Sequence, residues 1–420
     1  MTAISSPKTE ISELSNSFKI ISHNDVRRKH TSLCLWIKTG SVREPATNNG
    51  IAHLLEHSLF GQYSKNQRSH VYEEIKNNDL KIRAFTTVEN TAFFIEHIKT
   101  TDIQNCVELL WRIFSAEYLT SQSVKDAKSD IQKELISLSK DTDNKLFQAL
   151  NSACFPNQTL AMPIAGSWET VSKIHLEDLL KFQEKEYLAS NSFLCASGNI
   201  PHQSLEEYAE KWFSSLTLKS YSQSALPNWN GGLKSVSIDE ENSKLAFSLP
   251  FEIKKPCDFY YFWLVAFFLS FGHRFAFSSA LKNRLRDIID LLIYPEFFNQ
   301  IGRMHIYIKT ANPITLDTIE IIKQELNLFA QDKIEDLFAE LNEIEINKAI
   351  DAVKLKDSRV EQLAMSVSAY GIIPSNILIP QWTQNVQSKL KDLMSELNNH
   401  HSPAVAYTKT SKSSGINSND

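Results

Sequence analysis

His53-Leu54-Leu55-Glu56-His57 is the segment that most restricts what this chain can become. Imidazoles four residues apart share one face of an α-helix, and a carboxylate just before the second stays beside them. At about 100° per residue, with His53 set to 0°, Glu56 falls near −60° and His57 near +40°. Ile51, Leu54, Leu55 and Leu59 occupy the remaining arc. A helix with this pattern buries its apolar arc and turns the polar trio into a cavity. A helix face meant for water would carry Lys and Glu in place of two histidines.

The order of the trio is H-x-x-E-H, which suits a divalent metal on the two imidazoles and a glutamate acting as general base. Catalytic zinc takes three protein ligands and leaves one position for water. The stretch Ser123–Ser139 (SVKDAKSDIQKELISLS) predicts a helix with Ser123 as its N-cap and Ile131, Leu135 and Leu138 on its buried stripe. Glu134 borders that stripe, where a half-buried carboxylate gains from a cation. Asp126 and Asp130 compete with it for the third position.

Taken together, these residues resemble the pitrilysin/insulinase family of zinc peptidases, which includes the mitochondrial processing peptidases. Glu134 lies 77 residues beyond His57, close to the family's interval between its motif and the helix carrying the third ligand. The resemblance implies one Zn²⁺ per chain bound by His53, His57 and Glu134, with Glu56 as the base. GSVREPATNNGIAHLLEHSLF resembles the family's approach to the metal helix. IRAFTTVENTAFF (Ile82–Phe94) resembles its strand beside the active site, which implies substrate contacts at Arg83, Ala84 and Thr86. Arg83 replaces the family's asparagine there, and implies a preference for acidic substrate positions.

Further along, Ile164-Ala165-Gly166 and YLASNSFLCASGNI resemble the end of the family's first domain. SSALKNRLRDIIDLLIY (Ser278–Tyr294) resembles the segment that supplies an Arg and a Tyr to the catalytic centre. Arg286 and Tyr294 are the matching positions, one residue further apart than in the family and without its glycine turn. Many relatives carry an acidic residue where this chain has Ala127, which leaves Asp126 and Asp130 as stand-ins.

Composition excludes several other classes. Across 420 residues, 42% are hydrophobic and 22% charged, as in ordinary globular proteins, and a length of this order suggests two domains. A net charge of −5 with no Lys/Arg block gives no reason to expect nucleic acid. The longest apolar run, Phe259–Leu269, has 11 residues. A membrane-spanning helix needs roughly 20, so the run predicts a buried helix with a C-cap at Gly272 and no membrane span. Five dispersed cysteines without C-x-x-C spacing, and an N-terminus lacking a basic-then-apolar pattern, predict a reducing compartment and a cytoplasmic protein.

The polar Ser220–Gly232 segment predicts a linker between a catalytic domain over 1–219 and a metal-free domain over 233–408, with a disordered tail over 409–420. Thr101–Glu134 resembles Leu316–Lys348, and Phe114 and Phe329 hold equivalent places at an offset of 215. This self-similarity predicts an α+β fold of two tandem, structurally similar domains, each a mainly antiparallel sheet packed against helices. Glu169–Tyr187 reads as one helix within the first domain.

The function implied is a zinc-dependent endopeptidase whose extended substrate adds as a strand at the Arg83–Thr86 edge. The family encloses peptides between four such domains, which implies a homodimer or a heterodimer with a related metal-free chain. The alternatives are a non-catalytic peptide-binding or scaffold subunit, and a zinc amidohydrolase acting on other amides.

Overall fold

The computed structural model describes residues 6–60, 80–221, 226–298, 301–354, 356, 358–371, 373, 382–399 and 402–410. The strands are β1 (Lys8–Glu13), β2 (Lys19–Asn24), β3 (Thr31–Ile37), β4 (Lys81–Thr86), β5 (Thr91–Ile98), β6 (Ser192–Gly198), β7 (Gly232–Ile238), β8 (Ser243–Glu252), β9 (Ile288–Phe298), β10 (Ile301–Thr310) and β11 (Ala404–Thr410). The longer helices of the first half are α1 (Ile51–Phe60), α2 (Ile103–Phe114), α3 (Ser121–Leu138), α4 (Thr142–Cys154), α5 (Leu176–Glu186) and α6 (His202–Phe213). Those of the second half are α7 (Asp258–Ser270), α8 (Phe277–Arg284), α9 (Leu316–Leu328), α10 (Glu343–Val353), α11 (Val360–Tyr370) and α12 (Gln384–Asn399).

The chain forms two compact units. The first holds 1–137, 162–225 and 355–376, and the second holds 138–161, 226–354 and 377–420. Neither is a continuous stretch: α4 belongs to the second unit and α11 to the first. Each unit therefore differs from the continuous 1–219 and 233–408 segments expected from sequence. Residues 222–225 of the expected linker and 411–420 of the expected tail lie outside the described residues, while Lys409 and Thr410 close β11.

The first unit's sheet runs β1-β2-β6-β3-β5-β4 and the second's runs β7-β11-β8-β10-β9. The two are copies of one plan. In each, a parallel pair (β2 with β6, β7 with β11) leads into antiparallel neighbours. In each, the outermost strand (β4 or β9) pairs with a partner later in the chain. Sheet one adds β1 at its far edge.

The strand sequences explain why both faces are covered. In β3, Leu33, Leu35 and Ile37 join the core formed with α1, α2, α3, α5 and α6, while Cys34 and Trp36 point to the opposite face. There Val360, Leu363, Ala364 and Val367 of α11 pack on them. A strand apolar on both faces, as β3 is over its Leu33–Ile37 positions, has to be sandwiched. Helix α11 is also fastened by polar contacts: Trp36 Nε1 donates to Ser368 Oγ at 2.9 Å, and Ser197 Oγ donates to the Ser358 carbonyl at 3.0 Å.

In the second unit α4 plays the corresponding part. Phe147 stacks on Tyr307 with ring centroids 6.2 Å apart, and the Tyr307 hydroxyl donates to Asp143 at 2.9 Å. On the other face α7 inserts Phe262 against Phe251, with centroids 3.5 Å apart.

Several local expectations are corrected. Helix α3 begins at Ser121, and its cap is Thr120, which exchanges reciprocal hydrogen bonds with Ser123 at 3.0 Å each. This capping box takes the place of a Ser123 cap. The single helix expected over Glu169–Tyr187 is broken into Trp168–Val171, which opens with a capping box at Ser167, and α5, where Asp178 accepts from the His175 N–H at 2.9 Å. Helix α7 ends in extended backbone at Phe271, so Gly272 is not its left-handed cap.

Candidate metal centre

Helix α1 forms where the sequence places it, with Ile51, Leu54, Leu55 and Leu59 between 0% and 2% exposed. Two of its polar trio are buried as well, His53 at 9% and Glu56 at 5% exposed, while His57 is partly exposed. The ligand atoms of His53, Glu56 and His57 lie within 4.8 Å of one another. The two Nε2 atoms are 3.1 Å apart. Helix α3 brings Glu134 to them, with its Oε2 3.9 Å from His53 Nε2 and 3.7 Å from His57 Nε2. Residues 77 positions apart in sequence thus converge, and Glu134 is the carboxylate that α3 turns toward both rings.

These separations fit a shared cation. Zinc bonds of about 2.0–2.1 Å at tetrahedral angles put donor atoms roughly 3.3 Å apart, so closing the set requires only small movements of flexible side chains. Charge state agrees. Burial, with a smaller contribution from His57, pushes His53 down to about 3, and burial lowers His57 as well. Two neutral imidazoles facing each other this closely share either a proton or a cation. Burial also raises Glu134 and pushes Glu56 up to about 7. A cation between them would draw both back down.

The neighbours of the trio sort the remaining candidates. Thr86 Oγ1 donates to Glu56 Oε2 at 3.3 Å, so β4 orients the carboxylate. Ala84 and Thr86 pair with Phe93 and Thr91 on the side of the sheet that faces α1. Arg83 alternates to the other side. Its guanidinium meets Glu361 at 2.7 Å and Glu96 at 3.2 Å and lies over the Phe94 ring at 3.7 Å. The side chain expected to select acidic substrates is already neutralised by two carboxylates, away from Glu56.

Asp130 and Asp126 also separate. The Asp130 charge acts on His57, raising it against burial, while Asp130 itself holds Lys133 at 2.9 Å. Asp126 is engaged by Gln122 at 2.9 Å. Among the described residues, the Nδ1 atoms of His53 and His57 are buried without a hydrogen-bond partner. Ligating histidines ordinarily have such a partner.

Arg286 and Tyr294 belong to the second unit. Arg286 is exposed between α8 and β9. Tyr294 is half-buried beside His305, with ring centroids 5.0 Å apart, and burial pushes its hydroxyl up to about 12. Between them β9 carries a β-bulge: Lys309 and Thr310 pair with Asp290 and Ile288, so Ile289 is bypassed.

Sequence reasoning missed Glu44. This buried carboxylate accepts from the backbone N–H groups of Gly50 and Ala52, at 2.7 and 2.9 Å, and from Asn49 Nδ2 at 2.8 Å. Its interval from α1 matches no local capping pattern, so residue spacing carried no signal for its role.

Two family profiles match the chain in order: "Insulinase (Peptidase family M16)" over residues 19–167 and "Peptidase M16 inactive domain" over residues 173–344. The second description agrees with the absence of H-x-x-E-H from the second half. Mitochondrial-processing peptidase subunit beta of Neurospora crassa is 28% identical over 209 residues, 50% of this chain and 44% of that one. Cytochrome b-c1 complex subunit 1 of Bos taurus is 29% identical over 222 residues, 53% of this chain and 45% of that one. The matched region thus spans less than half the length of either relative. A crystal structure of a protease from Helicobacter pylori superposes with a TM-score of 0.78 at 16% identity, covering 96% of this chain and 99% of that one. At that identity the likeness is one of fold. With both domain profiles matched in sequence and the two-domain architecture reproduced, the chain belongs to the insulinase family of peptidases, family M16.

Proposed function

We propose that the protein is a zinc-dependent endopeptidase that cleaves extended peptides or peptide precursors. The observation that carries this reading is the convergence of His53, His57 and Glu134 beside a buried Glu56 held by Thr86. Zinc held by those three ligands would supply Lewis acidity and bring the pKa of a water toward about 7. Glu56 takes a proton from the attacking water and returns it to the leaving amine. Thr86 keeps the Glu56 carboxylate turned toward the histidines. The backbone of Arg83, Ala84 and Thr86, on the outermost strand of its sheet, offers the substrate main-chain hydrogen bonds that tolerate many sequences. Arg286 and Tyr294 are proposed to hold substrate and to donate to the developing oxyanion.

Relatives named as subunits support a second chain, either another copy or a related chain without the metal motif, completing the peptide chamber. A cytoplasmic site is proposed, the compartment that suits five dispersed cysteines outside any disulfide. No helix among the described residues is long and apolar enough to cross a membrane. A second reading, a non-catalytic peptide-binding or scaffold subunit, draws on the likeness to cytochrome b-c1 complex subunit 1. The retained trio and Glu134 favour catalysis over it.

One experiment separates the two readings. Purified protein should carry about one zinc per chain and cleave an unstructured peptide library, with cleavage abolished by a chelator and restored by zinc. Absence of bound zinc together with tight peptide binding would establish the scaffold.

A further inference from the structure

The first N–H groups of an α-helix have no partner within the helix, and an N-cap side chain normally supplies one. In α1 that position belongs to Gly50, whose carbonyl accepts the first helical bond from Leu54 at 2.9 Å. Gly50 cannot be replaced by a capping residue. Its φ is +96°, and a Cβ there would stand 2.8 Å from Val171 Cγ2 and 3.0 Å from both the Ala165 carbonyl oxygen and Gly166 Cα. The first turn of α1 also contains no acidic residue. The metal helix therefore begins at a point where close packing forbids a cap.

Glu44 fills that gap from six residues upstream. Its Oε2 accepts from Gly50 N and its Oε1 from Ala52 N, so one carboxyl group spans the start of the helix and satisfies two of its N–H groups. Asn49 Nδ2 closes the loop onto the same Oε2 and also donates to the Pro163 carbonyl at 3.0 Å. The preceding residue, Arg43, is pinned by the almost fully buried Glu186 at 2.8 Å. The loop carrying Glu44 is thus fixed at both ends. His53 follows Ala52 directly, so a slide or fraying of this first turn moves the first ligand before anything else.

We propose that Glu44 is a positioning residue for the metal centre, acting as a remote N-cap that fixes α1 along its axis and so sets where His53 stands relative to His57 and Glu134. This rests on the zinc reading above. It assigns Glu44 no contact with metal or substrate.

The test is Glu44→Gln in the full chain, which keeps the shape but sets an NH₂ group against a backbone N–H. Competition with a chelator should show zinc held roughly 10-fold more weakly, the scale of loss when a supporting partner of a ligand is removed. The visible spectrum of the cobalt-substituted protein should shift, and kcat should fall with KM little changed. Leu205→Ala, in the core of the same unit on α6, is the control for lost stability: its melting point should fall while zinc affinity and the cobalt spectrum stay at wild-type values. Should Glu44→Gln fail to fold, Glu44→Asp should give the same changes on a smaller scale. Wild-type zinc affinity and cobalt spectrum in the folded variant would overturn the proposal. Hydrogen exchange at Gly50 and Ala52 distinguishes this failure from failure of the zinc reading. Faster exchange in the variant supports the cap even if the wild type binds no zinc, and unchanged exchange removes it.

Discussion

Helices α1 and α7 occupy the same slot in two copies of one fold, each following the central strand (β3 or β8) and preceding the outermost strand (β4 or β9). Their side chains differ completely. Helix α7 reads DFYYFWLVAFFLS and buries Phe259, Phe262, Leu264, Val265, Phe268 and Leu269 around its circumference. Helix α1 gives up part of its buried surface to two histidines and a glutamate. Their starts differ too: α7 begins with the buried Asp258, which accepts from the Lys254 and Lys255 N–H groups, whereas α1 takes its carboxylate from a distant loop. The fold tolerates either filling: one helix adds the candidate metal residues to its packing face, and the other carries packing side chains almost throughout.

Four experiments can break or sharpen that contrast. The largest effect is expected in α1: Glu56→Gln should lower peptide cleavage by roughly 10³-fold, the scale of a general base, with zinc content unchanged. Cleavage undiminished in that variant would remove Glu56 from its role. In α7, Phe262→Ala should cost about 3–5 kcal/mol in chemical denaturation, leaving zinc binding intact. A drop in metal content at equal folded fraction would show that the two helices are not independent.

A smaller effect concerns the second sheet. Burial alone would raise Glu296, but Arg303 and His305 overcome it and hold the carboxyl near about 2, well below its usual 4.5. A depressed folded value means the contribution is present above pH 4.5 and is lost as pH falls toward 2. Because the Glu296 side chain is 38% exposed, solvent screening leaves roughly 1–2 kcal/mol. Denaturation midpoints measured down that pH range should fall in the wild type and flatten in Glu296→Gln. The smallest effect is Arg83→Ala, at about 1 kcal/mol or less, with cleavage beside acidic residues unaltered. A selective loss at acidic positions would restore Arg83 as a specificity residue.

Much of this was legible because periodicity is local. The H-x-x-E-H face and the apolar α7 both follow from residue spacing, whereas the expected equivalence of Phe114 and Phe329 does not hold: α2 ends at Phe114, and helix runs on past Phe329 to Glu340. The side chosen by Arg83 was legible as well: in a strand, residue 83 alternates away from 84 and 86, and parity alone separates it from Thr86. Other features were not. An apolar helix stripe says that a helix packs but not on which sheet, so the assignment of α4 to the second unit and α11 to the first left no mark in composition. Thr120 and Ser123 both satisfy capping rules, and only geometry chose between them. Glu44 acts across a loop whose closure depends on Gly50 meeting Gly166, a contact between residues more than a hundred positions apart.

Cys34 and Cys195 stand opposite each other on β3 and β6, both sealed beneath α11. A thiol reagent cannot reach either sulfur while that helix is seated. Alkylation of these two positions therefore acts as a stopwatch for the helix lifting from its sheet: the labelling rate counts opening events, without any probe being added to the chain.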